Sequence, residues 1–456
     1  MKKALDRSVW RYSLDEDNII GVVGLGYVGL TFATVLAEVG FSVLGFEKRQ
    51  EVVEKTNAGQ PHFAETGLPE ALTRVVRSGA FVARQTLDPA TPCHIYVITV
   101  GTPLSADGVA RLDMIEAASR EVAENMPDGA LVILRSTVMI GTARNVVAPI
   151  LQASGKRFDI AMCPERTLEG KALQELRELP QIVGADNQEV RDRASSVFRR
   201  LTNSIVQVSS LESAEIVKLV DNTYRDLQFA FANEVARVCE AFSVNAQEVI
   251  ASGKLGYKRT NVPLPGLVGG PCLEKDPHIL AQSARSRGID LEITRAGRMV
   301  NERQPVETVE FIVTQMAQRG MGSGARVAIL GMAFKGVPAT DDLRGSMSMK
   351  VLQALQKARP DVEVVVYDPV IPTIELAAHI PDLSVAASLR DAVAGASVVI
   401  IANNHPALGE QAPAALGDQM VAGGFIYDYW NHFSKLSDGE LGKSYFAVGN
   451  TRSGKA

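Results

Sequence analysis

From Asn18 the chain alternates short apolar runs with longer stretches in which apolar residues recur at helical spacing. The segment NIIGVVGLGYVGLTFATVLAEVGFSVLGFEK opens on an apolar run, breaks at a glycine-rich turn, continues at helical period and ends on a second apolar run. It predicts one strand–helix–strand unit. Apolar runs bounded by turn residues recur at Ile95 to Val100, Leu131 to Leu134 and Asp159 to Cys163, with helical periodicity between them. Strands apolar on both faces, separated by helices, belong to a parallel sheet with crossover helices. A first domain is expected over residues 1–205.

From Leu211 the pattern becomes a single 3.6-period stretch, LESAEIVKLVDNTYRDLQFAFANEVARVCEAFSV, with apolar residues at Ile216, Leu219, Val220, Leu227, Ala230, Phe231, Val235 and Val238. It contains neither Pro nor Gly, so one long helix is expected. At 1.5 Å per residue such a helix is about 45 Å long, which suits a spine joining two domains. Residues 206–310 form a helical middle domain, interrupted by NVPLPGLVGGPCLEKDP. Another α/β pattern starts at ARVAILGMAFKG, continues as a helix over Ser346 to Ala358, and adds strands at Val362 to Tyr367, Ser397 to Ile401 and Phe425 to Tyr427. The expected fold is therefore two Rossmann-like, doubly wound α/β domains joined by a helical middle domain with one long central helix, the last domain covering residues 311–456. The terminal TRSGKA carries no apolar anchor and is expected to fray.

Length agrees with this division: 456 residues at about 150 per domain make about three units. Lys and Arg number 47 against 52 Asp and Glu, a formal charge of −5, and 46% of residues are hydrophobic. A mildly acidic chain with no basic block gains nothing from counterion release on a polyphosphate, so nucleic acid is not an expected partner. There is no apolar run of about 18 residues and no apolar core behind the N-terminal lysines, so neither a membrane span nor a leader is read, and a cytoplasmic location is expected. Four scattered cysteines, Cys93, Cys163, Cys239 and Cys272, make neither a disulfide framework nor a zinc motif. No metal is expected.

Gly24, Gly26 and Gly29 in GLGYVG lie between a predicted strand and helix. There glycines permit a tight turn, the approach of a pyrophosphate to the helix N-terminus, and close helix–strand packing. Glu47 follows at the end of the next strand, where a carboxylate accepts from an adenosine ribose hydroxyl and favours NAD over NADP. In VGGPCLEKD, Cys272 shares a glycine-flanked loop with Lys275 and Asp276. A neighbouring ammonium favours the nucleophilic thiolate, while a free Cys is otherwise usually a buried, inert one. Lys218 and Asn222 stand i, i+4 on the long helix and share a face. Asn233 and Glu234 have no functional reading from spacing alone. Glu165 and Glu169 in CPERTLEG, Thr137 in RSTV, the turn Val100 to Pro103 and the turn Gly331 to Lys335 all follow predicted strands, the end at which α/β sheets place ligands.

Taken together, and in this order, GLGYVG, VGTP, STV with GT, PERTLEG, AEIVKLVDNTYRDLQFAFANE, VGGPCLEKD and GMAFK with DDLR resemble the UDP-glucose/UDP-N-acetylmannosamine/GDP-mannose 6-dehydrogenase family, from about Ile19 to about Phe433. The resemblance implies a four-electron oxidation of a sugar 6-hydroxymethyl to the carboxylate with two NAD in succession and no metal. It makes Cys272 the nucleophile that forms a thiohemiacetal and then a thioester. Lys218 and Asn222 would stabilise the oxyanion, Asp276 would act with Lys218 and a water in proton removal, and Glu165 would assist hydrolysis with a water near Thr137. The cofactor side would comprise Gly24, Gly26, Tyr27, Val28, Gly29, Glu47, Val100, Gly101, Thr102, Thr137, Glu169, Lys275 and Arg344. The substrate side would comprise Glu165, Arg166, Thr167, Leu168, Lys218, Asn222, Pro265, Gly266, Gly269 and Lys335, with Arg259 reaching in from a neighbouring subunit of a homodimer or higher oligomer built on the long helix.

The implied substrate is a UDP-sugar. PERTLEGKALQEL and NTYRD resemble the N-acetylhexosamine branch, and Cys-x-x-Lys-Asp the UDP-glucose and GDP-mannose branches, so UDP-N-acetylmannosamine, UDP-N-acetylglucosamine and UDP-glucose all stay open. Two rival readings are a non-catalytic NAD-binding descendant, which has no chemical need to keep Cys272, Lys218, Asn222, Asp276 and Glu165, and a two-electron 3-hydroxyacid dehydrogenase, which has no use for Cys272.

Overall fold

Two parallel sheets organise the chain in the computed structural model, which describes residues 19–105, 108–436, 441 and 444–450. The polar N-terminal lead and the TRSGKA tail lie outside the described residues. The first sheet contains β1 (Ile19–Val23), β2 (Ser42–Phe46), β3 (Phe81–Arg84), β4 (Ile95–Ile98), β5 (Ala130–Leu134), β6 (Phe158–Met162), β7 (Gln181–Gly184) and β8 (Ile205–Val208). Their spatial order is β3-β2-β1-β4-β5-β6-β7-β8. β1 pairs in parallel with β2 on one side and β4 on the other, so the order reverses there, and the crevice beyond the carboxyl ends of β1 and β4 is where such sheets take ligands. β2, β4 and β5 are buried throughout, as their unbroken apolar runs require. The sheet is not wholly parallel: β7 meets β6 antiparallel at Met162 and Gly184, and β8 then runs parallel to β7. Neither β7 nor β8 stands out in the sequence, because Gln181 and Gln207 break their short apolar runs.

The second sheet has β9 (Arg326–Leu330), β10 (Glu363–Tyr367), β11 (Ser384–Val385), β12 (Val398–Ile401), β13 (Phe425–Asp428) and β14 (Tyr445–Ala447) in the order β11-β10-β9-β12-β13-β14, with every pairing parallel. Its core gathers Val327, Ile329, Val366, Ile400 and Phe425, all buried. The expected long helix spans Leu211–Ala241, 31 residues.

A second long helix, Glu292–Gln318, runs 27 residues and passes through Pro305. Buried Thr294, Gly297, Arg298, Asn301, Gln304 and Thr308 precede the apolar Val309, Ile312 and Met316, so the first half of the helix carries no apolar period in the sequence. A buried proline within a helix persists because tertiary packing outweighs the lost backbone hydrogen bond.

The chain forms two compact units. One comprises Met1–Asp221 with His278–Ile289, and the other Asn222–Pro277 with Asp290–Ala456, the division falling within the long helix. No described helix is long and apolar enough to cross a membrane.

Candidate active site

In the first unit the turn after β1 is built by its glycines. Gly24 has φ +93°, and a Cβ there would lie 2.9 Å from Val100 Cγ1, so the turns after β1 and β4 abut. A Cβ on Gly29 would lie 1.8 Å from the Gly24 carbonyl oxygen and 2.6 Å from Thr99 Oγ1, which bars any side chain where the helix Tyr27–Glu38 meets the strand. At Gly26, the residue that caps that helix, a Cβ would meet nothing within 4 Å. That is the arrangement a pyrophosphate needs: one glycine for the turn, one for close packing, and between them an open space at a helix N-terminus.

Glu47, after β2, accepts from the Leu25 N–H at 3.2 Å and from Arg49 Nε at 3.0 Å. Burial raises its carboxyl pKa, but Arg49 and the Leu25 amide outweigh this and hold it below the usual carboxylate range. An ionised carboxylate beside the glycine turn fits a ribose hydroxyl donor. The chain's own groups therefore fit NAD, with Gly24, Gly26, Gly29 and Glu47 as the residues that would hold it. Tyr27 and Val28 begin the helix after the turn. Val100, Gly101 and Thr102 follow β4, and Thr102 Oγ1 donates to the Thr137 carbonyl, joining two of the predicted turns.

Beyond β5 and β6 the first unit holds a buried ionic cluster. Arg135 is 1% exposed and donates to Glu165 Oε2 from Nη2 at 2.6 Å and from Nε at 3.0 Å, to the Cys163 carbonyl at 3.1 Å and to Gln181 Oε1 at 3.1 Å. Its guanidinium also stacks 4.5 Å from the Phe32 ring centroid. Glu165 Oε1 accepts from the backbone N–H groups of Arg166 and Thr167 at 2.7 and 2.8 Å. Burial pushes the Glu165 pKa up. The Arg135 guanidinium, the Thr167 amide and the ammonium of buried Lys218 together pull it below its ordinary value, so Glu165 is an anion.

Arg166 donates to Asp221 at 3.0 Å and Leu168 N to Glu175 at 2.6 Å, fixing the PERTLEG loop. The loop is also tied to the glycine turn, because buried Glu65 hydrogen-bonds the Tyr27 hydroxyl and accepts from Gly170 N at 2.7 Å and Ala172 N at 2.9 Å. Burial and the Glu65 carboxylate drive the Tyr27 pKa far up, so its hydroxyl keeps its proton.

The second unit carries the cysteine loop. Cys272 is exposed on the short helix Gly270–Leu273, while Cys93, Cys163 and Cys239 are buried. The loop is clamped: Gly270 has φ +88°, donates its N–H to the Gly345 carbonyl at 2.7 Å, and would place a Cβ 2.4 Å from Phe334. A Cβ on Gly269 would lie 2.4 Å from the Gly345 oxygen, and one on Gly266 would lie 2.9 Å from the Trp430 ring. Asp276, fully buried, accepts from Asn222 Nδ2 at 2.6 Å and from Lys275 Nζ at 2.8 Å. Cys272 is therefore followed within four residues by a carboxylate that fixes both an amide and an ammonium.

Elsewhere in this unit, Pro265 is buried and Arg259 is exposed with its guanidinium 5.3 Å from the Tyr257 ring centroid. Lys335 lies 5.1 Å from the Phe334 ring centroid, and exposed Arg344 is held by Asp342 at 2.6 Å. Thus Thr137, Glu165, Arg166, Thr167, Leu168, Glu169, Lys218 and the glycine turn belong to the first unit, and Asn222, Arg259, Pro265, Gly266, Gly269, Cys272, Lys275, Asp276, Lys335 and Arg344 to the second.

Several residues that organise the site have no reading in the sequence. Arg135 carries a usable signal: it is a charge directly after an unbroken apolar strand, at the end where α/β sheets place their ligands. Glu65, Asp226 and Arg298 carry none, since their partners lie far along the chain.

Residues 18–202 match the NAD binding domain of the UDP-glucose/GDP-mannose dehydrogenase family, residues 212–303 its central domain, and residues 328–435 its UDP binding domain. The UDP-N-acetyl-D-mannosamine dehydrogenase of Pyrococcus horikoshii is 33% identical over 85% of this chain and 89% of its own length. The UDP-glucose 6-dehydrogenase of Haloferax volcanii is 32% identical over 88% of this chain and 94% of its own. The structure of the P. horikoshii UDP-D-ManNAc dehydrogenase superposes with a TM-score of 0.85 at 30% identity, covering 95% of this chain and 99% of that one.

Proposed function

Because the chain belongs to the UDP-glucose/GDP-mannose dehydrogenase family and is an NAD-dependent nucleotide-sugar dehydrogenase, we propose that it oxidises C6 of a UDP-N-acetylhexosamine to the uronic acid. UDP-N-acetylmannosamine is the first candidate and UDP-N-acetylglucosamine the next. UDP-glucose is the second reading, favoured by the similarity to the Haloferax volcanii enzyme. The observation that carries the chemistry is the exposed Cys272 beside the Lys275–Asp276–Asn222 hydrogen-bond chain.

Bound NAD supplies the hydride acceptor, once for the alcohol and once more for the adduct on Cys272. In this account the Cys272 sulfur attacks the aldehyde carbon, giving a thiohemiacetal whose oxidation leaves a thioester that water cleaves. Lys218 and the second N–H of the Asn222 amide, whose first is fixed by Asp276, stabilise the oxyanion. Asp276 takes protons with Lys218 and a water. Glu165, held as an anion by Arg135 and two backbone amides, assists hydrolysis of the thioester with a water near Thr137. Glu169, Lys275 and Arg344 serve the cofactor side. Arg166, Thr167, Leu168, Pro265, Gly266, Gly269 and Lys335 serve the substrate. On this reading residues 1–205, 206–310 and 311–456 are the NAD, central and nucleotide-sugar domains.

A homodimer built on the long helix is supported by Tyr224, Phe231 and Val238, which recur every seven residues and are 61%, 55% and 57% exposed. It would bring Arg259 of one subunit to its neighbour's substrate, and a monomeric mass in solution would exclude it. The reading is tested with UDP-N-acetylmannosamine, UDP-N-acetylglucosamine and UDP-glucose as substrates for wild type and Cys272→Ser. Cys272→Ser is expected to lower NADH formation by about two orders of magnitude or more. A wild-type rate in that variant removes the nucleophile, and no turnover of any UDP-sugar by wild type removes the substrate class.

A further inference from the structure

Cys272 is exposed and sits on a four-residue helix, so its position depends on how the backbone of residues 266–273 is held. Phe334 and Gly345 press on one side of that loop. Two polar side chains hold it from the long helices. Asn233 grips Gly266 at both ends, accepting from its N–H at 2.9 Å and donating to its carbonyl at 3.1 Å. Arg298 spans the nucleophile itself, donating to the Val268 carbonyl at 3.2 Å before it and to the Leu273 carbonyl at 2.9 Å after it.

Arg298 is 2% exposed and its partner Asp226, on the long helix, is fully buried. Nη1 donates to Asp226 Oδ1 at 2.6 Å, and Nε to Glu302 Oε1 at 3.2 Å. Asn301 donates to the same Asp226 oxygen at 2.9 Å and accepts from Asn233 at 3.0 Å, so both grips on the loop belong to one buried network.

A buried ion pair gives little net stability compared with an apolar pair of equal volume, so its presence here is not explained by stability alone. Only a planar guanidinium presents donors in a fork that reaches a carboxylate and two separated carbonyls at once; a lysine ammonium is a single point charge on a flexible stem.

We propose that Arg298, anchored by Asp226, is a positioning residue that sets the direction of the Cys272 thiol. This rests on Cys272 being the nucleophile. The test uses the full-length Arg298→Lys and Asp226→Asn variants and reads the pH profile of Cys272 alkylation by iodoacetamide. The other three thiols are buried, so alkylation of the native protein reports Cys272, and it needs no substrate. The expected result for Arg298→Lys is an altered alkylation profile with NAD affinity within about twofold of wild type. Its kcat should fall about 10- to 100-fold, the scale of a 1 Å misplacement of a reacting group, with a smaller change in KM for the UDP-sugar. A wild-type alkylation profile and kcat in either folded variant overturns the proposal, as does a loss of kcat that only follows the fraction unfolded. Should Arg298→Lys not fold, Asp226→Asn, which keeps the side-chain shape, carries the same readings. An altered alkylation profile in a protein whose wild type turns over no UDP-sugar would support the positioning role while refuting the substrate, so the two claims fail separately.

Discussion

Two buried glutamates in the first unit shift in opposite directions, because the Arg135 guanidinium outweighs burial at Glu165 and burial outweighs two backbone amides at Glu215. Glu165 is held ionised by Arg135. Glu215, on the long helix and 1% exposed, accepts from the backbone N–H groups of Gly141 and Ala143, and burial pushes its pKa from 4.5 to about 7. At pH values between those two, folded Glu215 keeps a proton that the unfolded chain has released. Its contribution to stability is therefore fully present below about pH 4.5 and is lost as pH rises towards 7. Glu215→Gln, which cannot ionise, should flatten that decline by on the order of 2–3 kcal/mol when urea midpoints are compared at pH 5 and pH 8. An unchanged pH dependence would show that Glu215 titrates normally.

Residues of this kind mark what the sequence withholds. The GLGYVG turn was legible because its glycines act on near neighbours, whereas Cys272 and Asp276 were assigned their roles by the resemblance of their loop to a family motif, and the Asn222 partner of Asp276 lies 54 positions away. Arg135 pairs with Glu165 30 positions on, Glu65 with the Ala172 amide 107 positions on and Asp226 with Arg298 72 positions on, and no local pattern encodes which residues meet.

Among elements, the glycine turn separates fold from ligand. A Cβ at Gly29 would overlap the Gly24 carbonyl, whereas one at Gly26 would enter open space. Gly29→Ala should therefore destabilise the first unit by about 1–3 kcal/mol or more through overpacking. Gly26→Ala should leave the melting temperature within about 2 °C while raising the KM for NAD about tenfold or more, because it fills the space assigned to the pyrophosphate. Melting curves and NAD titrations of both variants check this, and a Gly26→Ala protein with wild-type NAD affinity would contradict the assignment. Elements with strong periodicity, such as β1, β5 and the helix Leu211–Ala241, were legible from apolar spacing. The antiparallel β7 and the helix Glu292–Gln318 were not. β7 has only Ile182 and Val183 between Gln181 and Gly184, and the first half of the helix turns Thr294, Arg298, Asn301 and Gln304 inward ahead of its apolar Val309, Ile312 and Met316.

For the whole molecule, an acidic chain of formal charge −5 that takes a pyrophosphate-linked sugar has to place its cations locally. Lys335 and Arg259 supply them in this account, while Lys275 is committed to Asp276 at 2.8 Å. The family accounts for the glycine turn and for the match to the UDP binding domain. In the proposed mechanism Cys272 distinguishes a four-electron oxidation from a two-electron one, because an alcohol-to-aldehyde oxidation needs no nucleophile. The decisive measurement is the amount of NADH formed per UDP-sugar consumed, followed to completion with limiting sugar and excess NAD. Two NADH per sugar, with the uronic acid as product, is the predicted result. One NADH per sugar, with the 6-aldehyde accumulating, would contradict it.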